Sequence, residues 1–219
     1  MSDSALRQEI VETCRAMNAL GVNQGTSGNL SVRSGKGFLL TPSGLEYSRL
    51  MPEDIVSMEL EGRYASSRIP SSEWRIHRDV LRSRPEMNVV MHAHPMYCTT
   101  LAIHGRSIPA VHYLIGLAGG ADIRCAPYET PTTQALSDVA LVALADRRAC
   151  LLAHHGAIAV GETLAATLAL LVEVENLAEQ YWRALQLGDP PVLGEDEMSE
   201  VLDILDTYGS QSGREPRSG

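Results

Sequence analysis

Apolar residues along the chain follow two rhythms, one helical and one alternating, and their succession sketches the fold. Leu6, Ile10, Val11, Cys14, Met17 and Leu20 recur at helical spacing behind Ser4, a suitable N-cap, and Gly21 suits the position just past the helix end. Leu30-Ser31-Val32 and Phe38-Leu39-Leu40-Thr41 then flank Ser34-Gly35-Lys36-Gly37, which predicts a hairpin. Ile55 to Leu60 alternates with period two and turns back at Glu61-Gly62-Arg63. Pro70-Ser71-Ser72-Glu73 opens a helix with Trp74, His77, Val80 and Leu81 as its buried stripe and Arg75, Arg78 and Arg82 outward, so His77 reads as a core or boundary histidine. Asn88 to His94 predicts a short buried strand, because Pro95 cannot continue a hydrogen-bonded ladder.

Beyond it, Met96 to Ile103 predicts a helix, Ile108 to Tyr113 a return toward the sheet, Gly116 to Gly120 a loop and Ile123 to Ala126 a strand. Leu136 to Ala145 is helical in period, and the apolar run Cys150 to Ala153 has the length of a buried strand leading into His154-His155-Gly156. A long helix from Glu162 or Thr163 to Leu187 ends at Gly188-Asp189-Pro190-Pro191, and Glu195 to Tyr208 forms a last helix. Strands alternating with helices make the class α/β, and the hairpins argue for a mixed sheet. Residues 1–209 read as one domain, and the polar, Gly- and Ser-rich residues 210–219 as a disordered tail.

Composition narrows the partners. A formal net charge of -9 leaves no basic surface to release phosphate counterions, which argues against nucleic-acid and anionic-membrane binding. No apolar run reaches the length of a membrane span and no leader precedes Gln8, so a cytoplasmic protein is expected. Cys14, Cys98, Cys125 and Cys150 are scattered without Cys-x-x-Cys spacing, which fits reduced thiols rather than a zinc knuckle or disulfide framework.

Candidate chemistry concentrates at strand ends. Residues two apart on a strand share a face, so His92 and His94 point the same way and can hold one ion. Neighbours face opposite ways, so only one of His154 and His155 can join them. Three stretches favour an anion: Gly25-Thr26-Ser27-Gly28-Asn29 and Ser43-Gly44, where small residues let backbone N–H groups converge, and Ser71-Ser72 at the positive end of a helix. Glu73 by itself reads as a first-turn carboxylate favoured by the helix dipole.

Asn23-Gln24-Gly25-Thr26-Ser27-Gly28-Asn29, Pro70-Ser71-Ser72-Glu73-Trp74, His92-Ala93-His94-Pro95, Ile108 to Tyr113 and His154-His155-Gly156 occur in an order that resembles the class II aldolase and adducin family, from about Leu6 to Gly209. The resemblance implies a three-layer α-β-α sandwich with a mostly antiparallel central sheet, and a homotetramer with active sites at subunit interfaces. It also implies that Glu73, His92, His94 and His155 bind a metal, and that Glu73 leaves the metal when substrate chelates and then moves a proton. Thr26, Asn29, Ser43, Gly44, Ser71 and Ser72 would take the phosphate of a phosphorylated ketose. Tyr113, from a neighbouring subunit, and Tyr208 would serve the aldehyde end.

Three imidazoles and a carboxylate suit Zn²⁺, with Co²⁺ or Mn²⁺ as alternatives, and would serve an all-oxygen ion such as Mg²⁺ poorly. The implied reaction is reversible cleavage of a ketose 1-phosphate to dihydroxyacetone phosphate and a short aldehyde. Fuculose-phosphate aldolases carry a Phe where this sequence has Pro131, so the aldehyde pocket lacks an aromatic wall. That favours 5-deoxyribulose and 5-methylthioribulose 1-phosphates, with L-fuculose 1-phosphate close behind. Sugar-phosphate 4-epimerases share the fold but place an Asp in the stretch matching Val111-His112-Tyr113-Leu114, which has none. A methylthioribulose-1-phosphate dehydratase shares the metal cage. An adducin-like interaction domain would not need four metal ligands.

Overall fold

The computed structural model describes residues 3–207. An eight-stranded sheet runs in the order β3-β2-β1-β4-β8-β7-β6-β5, with β1 Asn29–Ser34, β2 Gly37–Leu40, β3 Val56–Glu59, β4 Val89–Ala93, β5 Ile108–Pro109, β6 Asp122–Ala126, β7 Ala149–Leu152 and β8 Gly156–Gly161. Every pairing is antiparallel except β6 with β7. This is the mixed, mostly antiparallel sheet expected.

Period-two alternation splits the core into two layers, one on each face of the sheet. Leu30, Val32, Val89, Met91 and Ala93 join Ile10, Cys14 and Met17 of α1 (Asp3–Ala19), Leu101 of α3 (Met96–Ile103), and Leu171, Val174 and Leu177 of α5 (Leu164–Ala184). Phe38, Leu40, Val90, Cys150, Leu152 and Ile158 face the other way, against Ile76, Val80 and Leu81 of α2 (Trp74–Ser83) and Leu136 and Ala140 of α4 (Gln134–Ala143). The odd positions Asn29 and Ser31 of β1, and His92 of β4, therefore lie on the α2 side. β4 is buried along its whole length because both faces are covered.

Several local readings shift. β4 ends at Ala93, and His94 lies in the turn before α3. α2 begins at Trp74 rather than at Ser71, with Trp74 half-buried under the guanidinium groups of Arg75 and Arg78 and Ile76 taking the buried place. Leu20 lies past the last turn of α1 and is 56% exposed, since Gly21 at φ +76° turns the chain away. Only Ile108–Pro109 reaches the sheet before a 3₁₀ helix, Tyr113–Ala118, which takes in part of the expected loop and packs Gly116 against Val201 and Leu205 of α6 (Glu195–Thr207). α5 stops at Ala184 and a 3₁₀ turn carries the chain to Leu187. Tyr208 and the tail lie outside the described residues. No helix among those described is long and apolar enough to cross a membrane, and all four cysteines are free thiols.

Candidate active site

Antiparallel pairing of β4 with β8 sets His92 opposite Ile158 and brings the turn before β8 alongside His94. That turn is sharp. His154 adopts φ +56°, an uncommon conformation for a residue with a side chain, and the reversal sends His155 inward while His154 meets the edge of the Tyr128 ring at 5.9 Å. Gly156 leaves room for the site, because a Cβ there would lie 2.7 Å from Cδ2 of His94.

The three imidazoles pack edge to face, with ring centroids 4.7 to 4.9 Å apart, and their ligand nitrogens fall within 4.8 Å of one another. Nδ1 of His92 lies 3.0 Å from the carbonyl oxygen of Ala157. A carbonyl only accepts, so Nδ1 carries the hydrogen and Nε2 presents a lone pair. Glu73 closes the group, its Oε2 lying 3.2 Å from His92 Nε2 and its Oε1 3.4 Å from His155 Nε2. Burial, reinforced by the nearby His94, pushes the pKa of His92 down to about 3. Burial and the nearby His92 lower that of His155 to about 4 despite Glu73, and burial lowers that of His94. Neutral imidazoles do not form ion pairs with Glu73, and its buried Oε2 has no hydrogen-bond partner among the described residues. Three neutral imidazoles with ring nitrogens within 4.8 Å of one another, and an unpartnered carboxylate oxygen beside them, fit a divalent cation.

The anion-favouring corners adjoin this cluster. Asn29 pairs with His92 across β1 and β4. On the other side of β1, the Thr41 N–H donates to the Leu30 carbonyl, and an isolated bridge joins Pro42 to Pro70. Asn29, Ser43 and Ser71 thus stand on three neighbouring segments at one end of the sheet. Thr26, Ser43, Gly44 and Ser72 are exposed there, and Ser71 is buried. The expectation of free backbone donors is corrected at two positions: the Ser43 N–H donates to Ile69 and the Ser71 N–H to Thr41, both through backbone carbonyls. The Ser71 hydroxyl in turn accepts from the Glu73 N–H at 3.3 Å.

Pro131 is exposed in the loop between β6 and α4, where Thr132 takes φ +73° and its carbonyl accepts from Arg75 Nη1 at 2.9 Å. Within one chain, Tyr113 is not joined to the histidines: it is 50% exposed and its ring stacks on His112 at 4.8 Å. Sequence reasoning missed the Ala157 carbonyl that sets the tautomer of His92, and the polar side chains that surround His77. The second was open to discovery, because Asn29 and Ser31 are two apart on one strand face.

An α-β-α sandwich with a His₃-carboxylate cluster at the sheet end defines a class: residues 8–182 match the model of the Class II Aldolase and Adducin N-terminal domain, and the chain belongs to this family. Among its relatives is the 5-methylthioribulose-1-phosphate/5-deoxyribulose-1-phosphate aldolase of Rhodospirillum rubrum, 52% identical over 208 residues, with 95% of this chain and 94% of that protein covered. The L-fuculose phosphate aldolase of Escherichia coli is 46% identical over 210 residues, covering 95% and 98%. A solved L-fuculose 1-phosphate aldolase superposes with a TM-score of 0.91 at 35% identity, covering 94% of this chain and 98% of that one.

Proposed function

We propose that this protein is a metal-dependent aldolase that reversibly cleaves a ketose 1-phosphate to dihydroxyacetone phosphate and a short aldehyde. The observation that carries the reading is the buried convergence of His92, His94 and His155 with the unpartnered Glu73 oxygen, in a chain whose relatives are aldolases. Zn²⁺ suits three nitrogens and one carboxylate, and Co²⁺ or Mn²⁺ can take the same set. When bound, the cation supplies the positive charge that carbon–carbon cleavage beside a ketone requires.

The chain's own groups do the rest. Glu73 lies within reach of any substrate atom beside the histidines and moves the proton between carbon fragment and solvent. Thr26, Asn29, Ser43, Gly44, Ser71 and Ser72 bind the phosphate mainly through neutral donors. Tyr113, half-exposed on its own chain, reaches the aldehyde oxygen of a neighbouring subunit in a homotetramer. Tyr208 is assigned to the same end. Pro131 leaves the aldehyde pocket without an aromatic wall, which favours 5-deoxyribulose and 5-methylthioribulose 1-phosphates over L-fuculose 1-phosphate. The thiols and the acidic charge suit a cytoplasmic enzyme.

The test supplies metal-loaded protein with each of the three ketose 1-phosphates and measures released dihydroxyacetone phosphate by a coupled assay. Release from all three, with the 5-deoxy and 5-methylthio compounds preferred, is the expected result. Formation of a 4-epimer or a dehydrated product in place of dihydroxyacetone phosphate would overturn the reading.

A further inference from the structure

We infer that His77 is a positioning residue for phosphate recognition, holding the Asn29 amide with its oxygen inward and its NH₂ group turned to the ligand. His77 is fully buried on the inner face of α2, and its ring spans two side chains of β1. Nε2 lies 2.5 Å from Asn29 Oδ1, and Nδ1 lies 2.7 Å from Ser31 Oγ. An amide oxygen can only accept, so Nε2 must carry a hydrogen. In the neutral ring Nδ1 is then an acceptor, and the Ser31 hydroxyl donates to it. With the Asn29 amide so oriented, the chain runs one way, Ser31 donating to His77 and His77 to Asn29, and the His77 tautomer reports that direction.

The consequence falls on the rest of the Asn29 side chain. With Oδ1 committed, only the NH₂ group remains, and it can only donate. Asn29 sits at the start of β1, opposite His92 and beside the segment that leads to Ser43. The ionised phosphate of a ketose 1-phosphate offers acceptors alone, so a reversed amide would set oxygen against oxygen there. The weight on this one amide is greater because the Ser43 and Ser71 N–H groups are already taken by backbone carbonyls. A histidine that reads as a core residue on a helical stripe thereby acts on the ligand through its neighbour. The phosphate as ligand rests on the aldolase reading, and the hydrogen-bond chain does not.

The experiment uses full-length, metal-loaded protein. Long-range ¹H–¹⁵N correlation of the His77 ring should show the Nε2–H tautomer, and an Nδ1–H tautomer would overturn the inference. Binding of inorganic phosphate is then measured by calorimetry, beside steady-state kinetics with a ketose 1-phosphate. His77→Phe should weaken phosphate and raise KM at least tenfold while kcat stays within threefold and metal content holds. His77→Gln, which keeps a donor and an acceptor, should recover most of the loss. Should His77→Phe fail to fold, Asn29→Asp decides the matter, since it leaves an acceptor for His77 but turns oxygen toward the ligand and should abolish phosphate binding. Unchanged phosphate affinity in either variant, or no affinity in the parent protein, would overturn the inference. A parent protein that binds phosphate but releases no dihydroxyacetone phosphate would instead remove the aldolase reading and leave the amide's orientation standing.

Discussion

The histidine cluster and the loop that carries Pro131 lie at the same end of the sheet architecture but are held in opposite ways. His92 is buried on a strand hydrogen-bonded on both sides, with one ring nitrogen fixed by a backbone carbonyl, and a one-residue slip of β4 would turn it into the other layer. Pro131 and Thr132 are exposed on a loop tied to the body by an Arg75 hydrogen bond to the Thr132 carbonyl and by the contact of Tyr128 with His154. The contrast teaches that the histidine cluster is anchored in the register of the sheet, whereas the loop proposed to choose the aldehyde is a rim that can change without disturbing that register.

Changes at the buried pole should therefore be the costly ones. His92→Ala removes a ligand from the cluster and should lower metal affinity by more than the roughly 10–100-fold typical of residues that merely support a ligand. Metal analysis after dialysis reads this, and full retention would break the comparison. Glu73→Gln separates binding from turnover. It keeps an oxygen beside His92 but cannot carry the proton, so kcat should fall by about 10²–10⁴-fold. A variant with near-parental kcat would remove Glu73 from proton transfer.

Acid sharpens the comparison in a different way. His77 and His92 both have pKa values near 3: burial is the main cause for each, with His92 adding to it at His77 and His94 at His92. The unfolded value is 6.5, so the unfolded chain takes up protons first. These two groups thus contribute stability above pH 6.5 that is lost as pH falls toward 3, at about 1.4 kcal/mol per pH unit for each. Urea midpoints of chelator-treated protein at successive pH values between 7 and 4 should decline accordingly, and a flat profile would show that the pole is not held by neutral histidines. The rim should respond least. Pro131→Phe is expected to shift relative kcat/KM toward L-fuculose 1-phosphate by about 1 kcal/mol, and no shift would mean that the loop does not shape the pocket.

How far the sequence disclosed this arrangement follows the same division. Strand periodicity pairs His92 with His94, yet only His92 is on β4, and the turn that follows it brings His94 to the cluster; His155 is likewise sent inward by a turn, with His154 at φ +56°, and not by strand alternation. Hairpin β1–β2 was legible from its turn and flanking apolar runs, whereas the layering of helices on both faces of the sheet came from the family resemblance. The start of α2 was not legible, because Ser71 spends its N–H on Thr41, a partner thirty residues earlier that no local pattern reveals. His77 fell on the expected stripe, yet its polar partners come from β1. Tyr113 kept its assignment only through family resemblance, since an exposed ring on a 3₁₀ turn carries no sign of what it meets.

The β4–β8 pairing also has a kinetic side. The two strands lie side by side, but more than sixty residues separate them, and the Ala157 carbonyl meets His92 across 65 positions. Closing a loop of that size is entropically costly and is repaid only when the central strands zip together. Neither half of the cluster can be assembled by its own local segment. The three histidines consequently come together only when β8 has docked on β4, so the full cluster reports that long-range pairing and not any one local segment.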